Sequence, residues 1–307
     1  MDNSTKALYD ILPQEDKNHA FHAYIYFKYL NHFLYHALQK TGFPAKEPTE
    51  KLDPVLDEML EIILEEISET APDVATSIYH SKIVKLKDAI QLVTQKQDLS
   101  LVPPEQVIPF KVARNVIIRN PESIAVGECA CRSASAEHCR PLDVCLFVGE
   151  PFASFVTEQN PNKFRRIAQE EAVSILEAEH KRGHVHSVYF KRETGNGFYA
   201  ICNCCPCCCL NVRMWNLLEG QIPTYAPSGY SSKVNDQCNG CGVCVDACPF
   251  KAISMNEDKQ KAVVNYTKCM GCGVCEDICA VGALKLERDP SRGEPLDVEE
   301  LTRGRKG

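Results

Sequence analysis

The stretch that decides the fold reads CNGCGVCVDACP from Cys238 to Pro249, and it returns as CMGCGVCEDICA from Cys269 to Ala280. In each copy, gaps of two, two and three residues separate four cysteines, and each cysteine of the second copy follows its counterpart by 31 residues. Gaps of two residues let three thiolates from one tight turn reach a single metal cluster, whereas the fourth thiolate points away from it. The glycines between the cysteines let the backbone turn sharply and approach the cluster. The repeat therefore predicts two neighbouring iron–sulfur clusters.

On these motifs the chain resembles the bacterial-type ferredoxins over roughly residues 229–289. The resemblance implies two [4Fe–4S] clusters, and the fourth cysteine of each copy binds the cluster of the other copy. The implied ligands of the first cluster are Cys238, Cys241, Cys244 and Cys279. The implied ligands of the second cluster are Cys269, Cys272, Cys275 and Cys248. Structural zinc also uses Cys-x2-Cys pairs, but four cysteines at these gaps fit a zinc ribbon poorly.

The composition limits the class of protein further. The chain has 307 residues, 18 of them cysteine, with a hydrophobic content of 44% and a net charge of −7. This length favours about two domains, and the mild charge gives no reason to expect a nucleic-acid partner. No apolar run is long enough for a transmembrane segment, and residues 1–17 lack the apolar core of a signal peptide. We therefore expect a cytoplasmic protein whose many thiols serve metal or redox chemistry instead of disulfides.

Another set of cysteines follows an apolar strand predicted at residues 124–126. Its members are Cys129, Cys131, Cys139 and Cys145. Alternate residues of an extended segment point to the same side, so the thiols of Cys129 and Cys131 are expected to face one metal or cluster together. Arg132 is expected either to donate hydrogen bonds to that site or to lie on the surface. Four cysteines within 17 residues predict a third metal site, with free buried thiols as the alternative.

The densest run of cysteines comes after a predicted helix over residues 170–183 and a predicted hairpin with strands at 184–192 and 197–202. Helix and hairpin together look like a winged-helix unit. The run places six cysteines within eight residues, namely Cys202, Cys204, Cys205, Cys207, Cys208 and Cys209. Six thiols exceed the four that one [4Fe–4S] cluster needs, so they either hold more than one cluster with the four upstream cysteines or keep spare thiols for redox chemistry. Adjacent cysteines are not expected to bind one iron, because neighbouring side chains diverge, and soft-metal storage is the competing interpretation.

Residues 120–210 resemble a family of largely uncharacterised iron–sulfur proteins of anaerobic bacteria and archaea. The shared features are the Cys-x-Cys-Arg element at Cys129, two further cysteines, the Gly-His-Val-His sequence at Gly183 and the cysteine run at Cys202 before a two-cluster ferredoxin module. The resemblance implies electron transfer in strictly anaerobic metabolism and leaves any substrate open.

The predicted fold class is α+β. It comprises a helical N-terminal part, a cysteine-rich α/β middle domain with the helix-plus-hairpin unit, and a C-terminal ferredoxin-type domain. The predicted divisions are 1–48, 49–228, 229–289 and a flexible tail at 290–307. Helices are predicted at 21–38, where the segment is rich in aromatic residues, from Asp53-Pro54 onward, at 74–95 and at 109–119.

The leading functional hypothesis is a multi-cluster electron-transfer protein that relays low-potential electrons to or from a partner oxidoreductase or electron carrier. The first alternative is an oxidoreductase whose upstream cysteine site reduces a disulfide or a small molecule. The second alternative is a redox-sensing DNA-binding regulator, which the lack of a dense basic face disfavours. The cofactors expected are two [4Fe–4S] clusters, with one or more additional iron–sulfur clusters at the upstream cysteines.

Overall fold

A largely antiparallel sheet organises the first two thirds of the chain. The computed structural model describes residues 2–69, 79–109, 116–258 and 260–303. Within them, the main sheet has eight strands in the order β2-β3-β4-β7-β6-β1-β8, with β5 also paired to β3. Every neighbouring pair is antiparallel except β1 and β8. The strands are β1 Tyr79–Val84, β2 Leu99–Leu101, β3 Val116–Glu128, β4 Asp143–Glu150, β5 Phe164–Ile167, β6 Val185–Lys191, β7 Phe198–Cys204 and β8 Tyr225–Ala226.

Helices cover both faces of this sheet. They are α1 Asn3–Asp10, α2 Ala20–Lys28, α3 Leu30–Lys40, α4 Pro54–Glu69, α5 Leu86–Val93, α6 Ala130–Ala134, α7 Phe152–Gln159, α8 Gln169–Lys181 and α9 Leu210–Leu217. Successive side chains of a strand point to opposite faces, and β6 shows the result. Its Val188 and Phe190 pack in a hydrophobic core with α5 and α8, whereas Tyr189 packs in a second core with α1 to α4 and α7.

The N-terminal helices form one wall of the second core. The segment predicted as a single helix at residues 21–38 is instead two helices, α2 and α3, which meet at Tyr29. Its expected place in the core is confirmed, since Ile25 and Leu38 are fully buried. The predicted start of α4 is also confirmed, because the Asp53 carboxylate accepts a hydrogen bond from the backbone N–H of Val55 at 2.9 Å. Across the described ranges, no helix combines the length and apolar character needed to cross a membrane.

Two predicted helices need correction. The helix predicted at residues 74–95 is confirmed at α5 but wrong at residues 79–84, which form β1, and residues 74–78 lie outside the described residues. The helix predicted at 109–119 is also wrong from Val116 onward, because β3 begins there, while residues 110–115 lie outside the described residues. Both segments contain β-branched residues whose burial in the sheet outweighs a weak helical pattern.

The predicted helix over 170–183 is confirmed as α8, and its end at Gly183 has the expected left-handed conformation with φ of +78°. The hairpin is confirmed as β6 and β7, which pair along their lengths. The winged-helix comparison finds no support, because both strands lie in the interior of the eight-stranded sheet. A hairpin that is paired on both sides is not free to act as a wing.

The C-terminal part packs against this sheet and carries the cysteine repeats. Its elements are β9 Tyr230–Val234, α10 Val243–Ala247, β10 Ile253–Met255, β11 Ala262–Val264, α11 Val274–Ile278, β12 Leu284–Arg288 and α12 Val298–Arg303. Strand β9 pairs with β12, and β10 pairs with β11.

The predicted flexible tail also needs correction for residues 290–303. Leu296 and Val298 are buried in the same core as α5, and the Asp297 carboxylate accepts a hydrogen bond from Gln91 at 3.1 Å. A few apolar side chains among many charged ones hold this segment against the core.

Candidate metal centres

The structure brings together each of the two ferredoxin-type ligand sets. The first set, Cys238, Cys241, Cys244 and Cys279, lines one small cavity. The second set, Cys248, Cys269, Cys272 and Cys275, lines another. In each set the fourth cysteine comes from the other copy of the repeat, as the ferredoxin resemblance implies.

Local backbone geometry orients these thiols. Gly242 and Gly273 precede α10 and α11 with φ of +77° and +92°, a conformation that side chains disfavour. Backbone N–H groups point at the sulfurs, with Ala252 donating to Cys248 Sγ at 3.3 Å and Ala283 donating to Cys279 Sγ at 3.1 Å. Such N–H groups stabilise cluster thiolates. The residues present therefore fit two [4Fe–4S] clusters.

The two sets differ in their exposure. Cys241 of the first set is exposed, and Val243 and Ile278 beside it are 48% and 42% exposed. In the second set, Cys269 and Cys275 are buried, and Cys275 Sγ donates to Ser232 Oγ at 3.3 Å. The first set thus faces solvent, whereas the second lies toward the rest of the protein.

The ten upstream cysteines separate into two groups that the sequence did not distinguish. We call Cys139, Cys205, Cys207 and Cys208 the four-thiol group, because their sulfurs all lie within 4.8 Å of one another. We call the remaining cysteines, Cys129, Cys131, Cys145, Cys202, Cys204 and Cys209, the six-thiol group; they line one cavity, which Cys205 of the four-thiol group also borders. The neighbours Cys204 and Cys205 thus belong to different groups, as do Cys208 and Cys209.

The six-thiol group forms a continuous series of sulfur contacts. Cys145 Sγ lies 3.8 Å from Cys202 Sγ. Hydrogen bonds from the thiols of Cys131 and Cys145 lower the pKa of Cys129 well below its usual value. The series continues from Cys131 to Cys209 and from Cys209 to Cys204. Cys129 and Cys131 therefore do share a site, although Cys131 lies in α6 and not in an extended segment.

The cavity beside these thiols has a volume of about 420 Å³. The sheet supplies one wall with Tyr189, Lys191 and Tyr199, and helices α2 and α3 supply the opposite wall with residues such as Tyr26 and Phe33. The Tyr189 hydroxyl lies 3.7 Å from Cys204 Sγ. The cysteine pattern gave no sign of this aromatic lining. The aromatic lining depends on which face of each strand is directed toward the N-terminal helices.

Arg132 holds the cysteine-bearing segments together and does not lie on the surface. It is fully buried, and its guanidinium donates hydrogen bonds to the carboxylate of Glu179 and to the backbone carbonyls of Pro141 and Asn203. His184 Nδ1 also lies 2.6 Å from the Glu179 carboxylate. Burial by itself raises the pKa of Glu179, but the bonds to His184 and Arg132 outweigh it and leave the pKa lowered. The site therefore contains a buried ion pair between α6 and α8, and its arginine also bonds to the backbone at the end of β7.

Asn203 and His186 fix the hairpin beneath the thiols. The Asn203 amide donates to the Val144 carbonyl at 2.7 Å, and its Oδ1 lies 2.7 Å from His186 Nδ1. Burial, followed by the charge of His180, lowers the pKa of His186 to about 4, so this ring is neutral near pH 7. Neither His184 nor His186 belongs to the thiol groups, and both support the segments that carry them.

Tyr225 connects the six-thiol group with the second ferredoxin-type set. Burial raises the pKa of Tyr225, and the nearby thiols of Cys204 and Cys209, and then of Cys272, raise it further. Its hydroxyl lies 3.0 Å from Ser187 Oγ, and its ring packs edge-on against Trp215. Cys204, Cys209, Cys269 and Cys275 all belong to the hydrophobic cluster around this ring. The two kinds of cysteine site are therefore in contact through one buried region.

Comparisons with known proteins agree with this geometry in the C-terminal part. Residues 237–283 match a family model described as "4Fe-4S dicluster domain". A stretch of 28 residues, 9% of the chain, is 64% identical to a protein of Methanosarcina thermophila named "Probable ferredoxin" and covers 48% of that protein. The chain thus spans about half the length of this curated relative. Neither upstream thiol group lies within the matched residues 237–283. The chain carries a ferredoxin-like 4Fe-4S dicluster domain.

Proposed function

We propose that this protein is an iron–sulfur electron-transfer protein in which two [4Fe–4S] clusters and a further redox site at the six-thiol group act together. When bound, such clusters supply one-electron redox chemistry, at potentials that burial, charge and hydrogen bonds set. The single observation that carries the proposal is the buried region around Tyr225. Cys204 and Cys209 of the six-thiol group belong there to one hydrophobic cluster with Tyr225 and with Cys269 and Cys275 of the second set.

The order of exposure supports a relay. The first set opens to solvent at Cys241 and is bordered by exposed Val243 and Ile278. A partner oxidoreductase or electron carrier can approach this side, since weak redox encounters use small surfaces. The second set and the six-thiol group contain no exposed cysteine. This is the arrangement that a relay between a partner and a buried site requires.

The thiol content supports an anaerobic, reducing setting. All 18 cysteines are unpaired in the structure, and several of them are partly exposed. Exposed thiolates oxidise readily to sulfenic and higher acids. We therefore place the protein in the cytoplasm of an organism with anaerobic metabolism.

The iron–sulfur content of the purified protein tests the proposal. We expect about 12 acid-labile sulfides per chain in anaerobically prepared protein, four for each of three clusters. Changing Cys129→Ser and Cys131→Ser together should lower this to about eight, because serine oxygen is a poor ligand for iron at these positions. Sulfide is the better measure than iron, since an isolated metal ion contributes none.

Cys207→Ser is the matched control, because Cys207 lies in the same cysteine run but outside the six-thiol group. It should keep the wild-type sulfide content. A wild-type content of only about eight sulfides would contradict a third cluster and leave the six cysteines as thiols.

A second candidate function is favoured by the cavity itself. Its volume of about 420 Å³ falls within the range of small-molecule sites. Lys191 lines it as a buried amine whose pKa is lowered by burial, with Nζ 3.6 Å from the Tyr26 ring centre and a long contact of 3.7 Å to Glu193. When protonated, this amine would orient an anionic substrate in the cavity that the thiols also line. The second candidate is therefore an oxidoreductase that reduces a carboxylate-bearing disulfide in this cavity.

Reductive cleavage of a small disulfide tests the second candidate. Two electrons from the reduced protein and two protons convert one disulfide into two thiols. Protein reduced with dithionite, freed of excess reductant and mixed with a dicarboxylate disulfide should release new thiols. Protein that has not been reduced is the control. Equal thiol release from both samples would contradict the oxidoreductase.

A further inference from the structure

The four-thiol group has a spacing that differs from the other cysteine sites. Cys139 Sγ lies 3.3 Å from Cys205 Sγ and 4.0 Å from Cys208 Sγ, and Cys207 Sγ lies 3.5 Å from Cys208 Sγ. All four sulfurs lie within 4.8 Å of one another. In the part of the chain that the structure describes, no other group of three or more possible metal ligands is as close. The eight ferredoxin-type cysteines are therefore spaced more widely.

This spacing matches four ligands around a single ion. A metal–sulfur bond of about 2.3 Å in a tetrahedral site places the sulfurs about 3.8 Å apart. Four thiolates on a [4Fe–4S] cluster bind four different irons. Because the irons are themselves separated, the four sulfurs lie farther apart than they do around a single ion. The ferredoxin-type sets serve as an internal comparison, because they are wider and enclose a cavity.

We propose that Cys139, Cys205, Cys207 and Cys208 bind one mononuclear metal ion, zinc or iron, in a tetrahedral site of four thiolates. Soft thiolate ligands in this geometry select zinc or iron among the metals of the cell. Four protein ligands leave no open position, which is typical of a structural site. None of its four ligands belongs to the ferredoxin-type sets or to the six-thiol group, so the inference does not depend on the proposed function.

The local chain shows how adjacent cysteines can share the ion. Residues 206–208 form a turn between β7 and α9, and Pro206 restricts its backbone. The turn brings the sulfurs of Cys207 and Cys208 to 3.5 Å. The prediction that adjacent cysteines diverge is therefore wrong for this pair. Cys139 completes the group from the loop between α6 and β4.

The ion would also lie directly beside the thiols of the cavity. Cys205 and Cys208 of the four-thiol group are buried. Cys204, which precedes Cys205, and Cys209, which follows Cys208, both belong to the six-thiol group. Holding the turn to the loop at Cys139 therefore fixes where β7 ends and α9 begins. Groups that surround a set of metal ligands commonly help to orient those ligands.

The excess of metal over sulfide in the full-length wild-type protein tests the inference. Each [4Fe–4S] cluster contributes equal amounts of iron and labile sulfide, so clusters alone give no excess. We expect total iron plus zinc to exceed labile sulfide by about one per chain. No excess would overturn the inference, whatever the number of clusters. This measurement needs no variant and so does not depend on whether a variant folds.

A pair of variants assigns the ion to its ligands. Cys139→Ser with Cys207→Ser should remove about one metal ion per chain and leave labile sulfide unchanged. The control is Cys241→Ser in the first ferredoxin-type set, which should lose iron and sulfide together. If the double variant also loses iron and sulfide in equal amounts, the four-thiol group holds a cluster and the inference is overturned. Retention of the excess metal would overturn it as well.

Discussion

Arg132→Met is expected to destabilise the protein by about 3–5 kcal/mol, the cost of breaking a buried ion pair by removing one partner. Arg132 and Glu179 are both buried, and Arg132 also donates to the Asn203 carbonyl at 3.0 Å. Methionine fills similar volume but leaves the Glu179 carboxylate and two backbone carbonyls with fewer donors. For a chain of this size, the melting temperature should fall on the order of 5–10 °C. Anaerobic thermal unfolding followed by circular dichroism measures it.

Arg182→Met is the matched control for this prediction. Arg182 also donates to the Glu179 carboxylate, at 3.0 Å, but its side chain is 45% exposed. Exposed ion pairs contribute little, so we expect a change of less than about 1 kcal/mol. Similar destabilisation by both variants would show that burial of the Arg132 pair is not the cause. Adding Glu179→Leu to Arg132→Met should recover part of the lost stability, because no buried charge then lacks a partner.

Gly271→Ala is expected to remove the second ferredoxin-type cluster and lower labile sulfide by about four per chain. Gly271 lies between Cys269 and Cys272 with φ of +64°. A Cβ there would lie 2.2 Å from the Tyr230 carbonyl oxygen and 2.4 Å from Ser228 Oγ. These atoms cannot approach so closely, and the Tyr230 carbonyl belongs to the backbone of β9. The ligand loop must therefore move away from its position.

Gly242→Ala separates this contact from backbone strain. Gly242 lies in the corresponding loop of the first copy with φ of +77°, and a Cβ there would meet nothing within 4 Å. Alanine at this position costs about 1–2 kcal/mol through its left-handed conformation, and the sulfide content should stay at the wild-type value. Equal sulfide loss in the two variants, measured on anaerobic protein, would show that the conformation and not the contact with Tyr230 controls cluster binding.

The ferredoxin-like part could be predicted from the sequence because its constraints are local. Gaps of two residues bring three thiolates into one turn, and the glycines supply the turn itself. Helix α8 and the hairpin of β6 and β7 could be predicted for the same reason. An apolar helical stripe, the glycine at 183 and the alternating pattern of the strands each extend over no more than about 15 residues. The predictions for residues 79–84 and 290–303 failed because the apolar runs there are short and are buried by distant parts of the chain.

What the sequence determined by itself is the presence of the ferredoxin-like dicluster domain and an unusual concentration of thiols before it. Only the tertiary structure decided how the ten upstream cysteines divide. Cys139 joins the run at Cys205, whereas Cys129 and Cys145 join Cys202 and Cys204, because β4 pairs with β7 and α6 packs over the end of that strand pair. Strand pairing across more than 50 residues depends on which faces bury apolar area and on the buried Arg132–Glu179 pair. No spacing within the sequence contains that information.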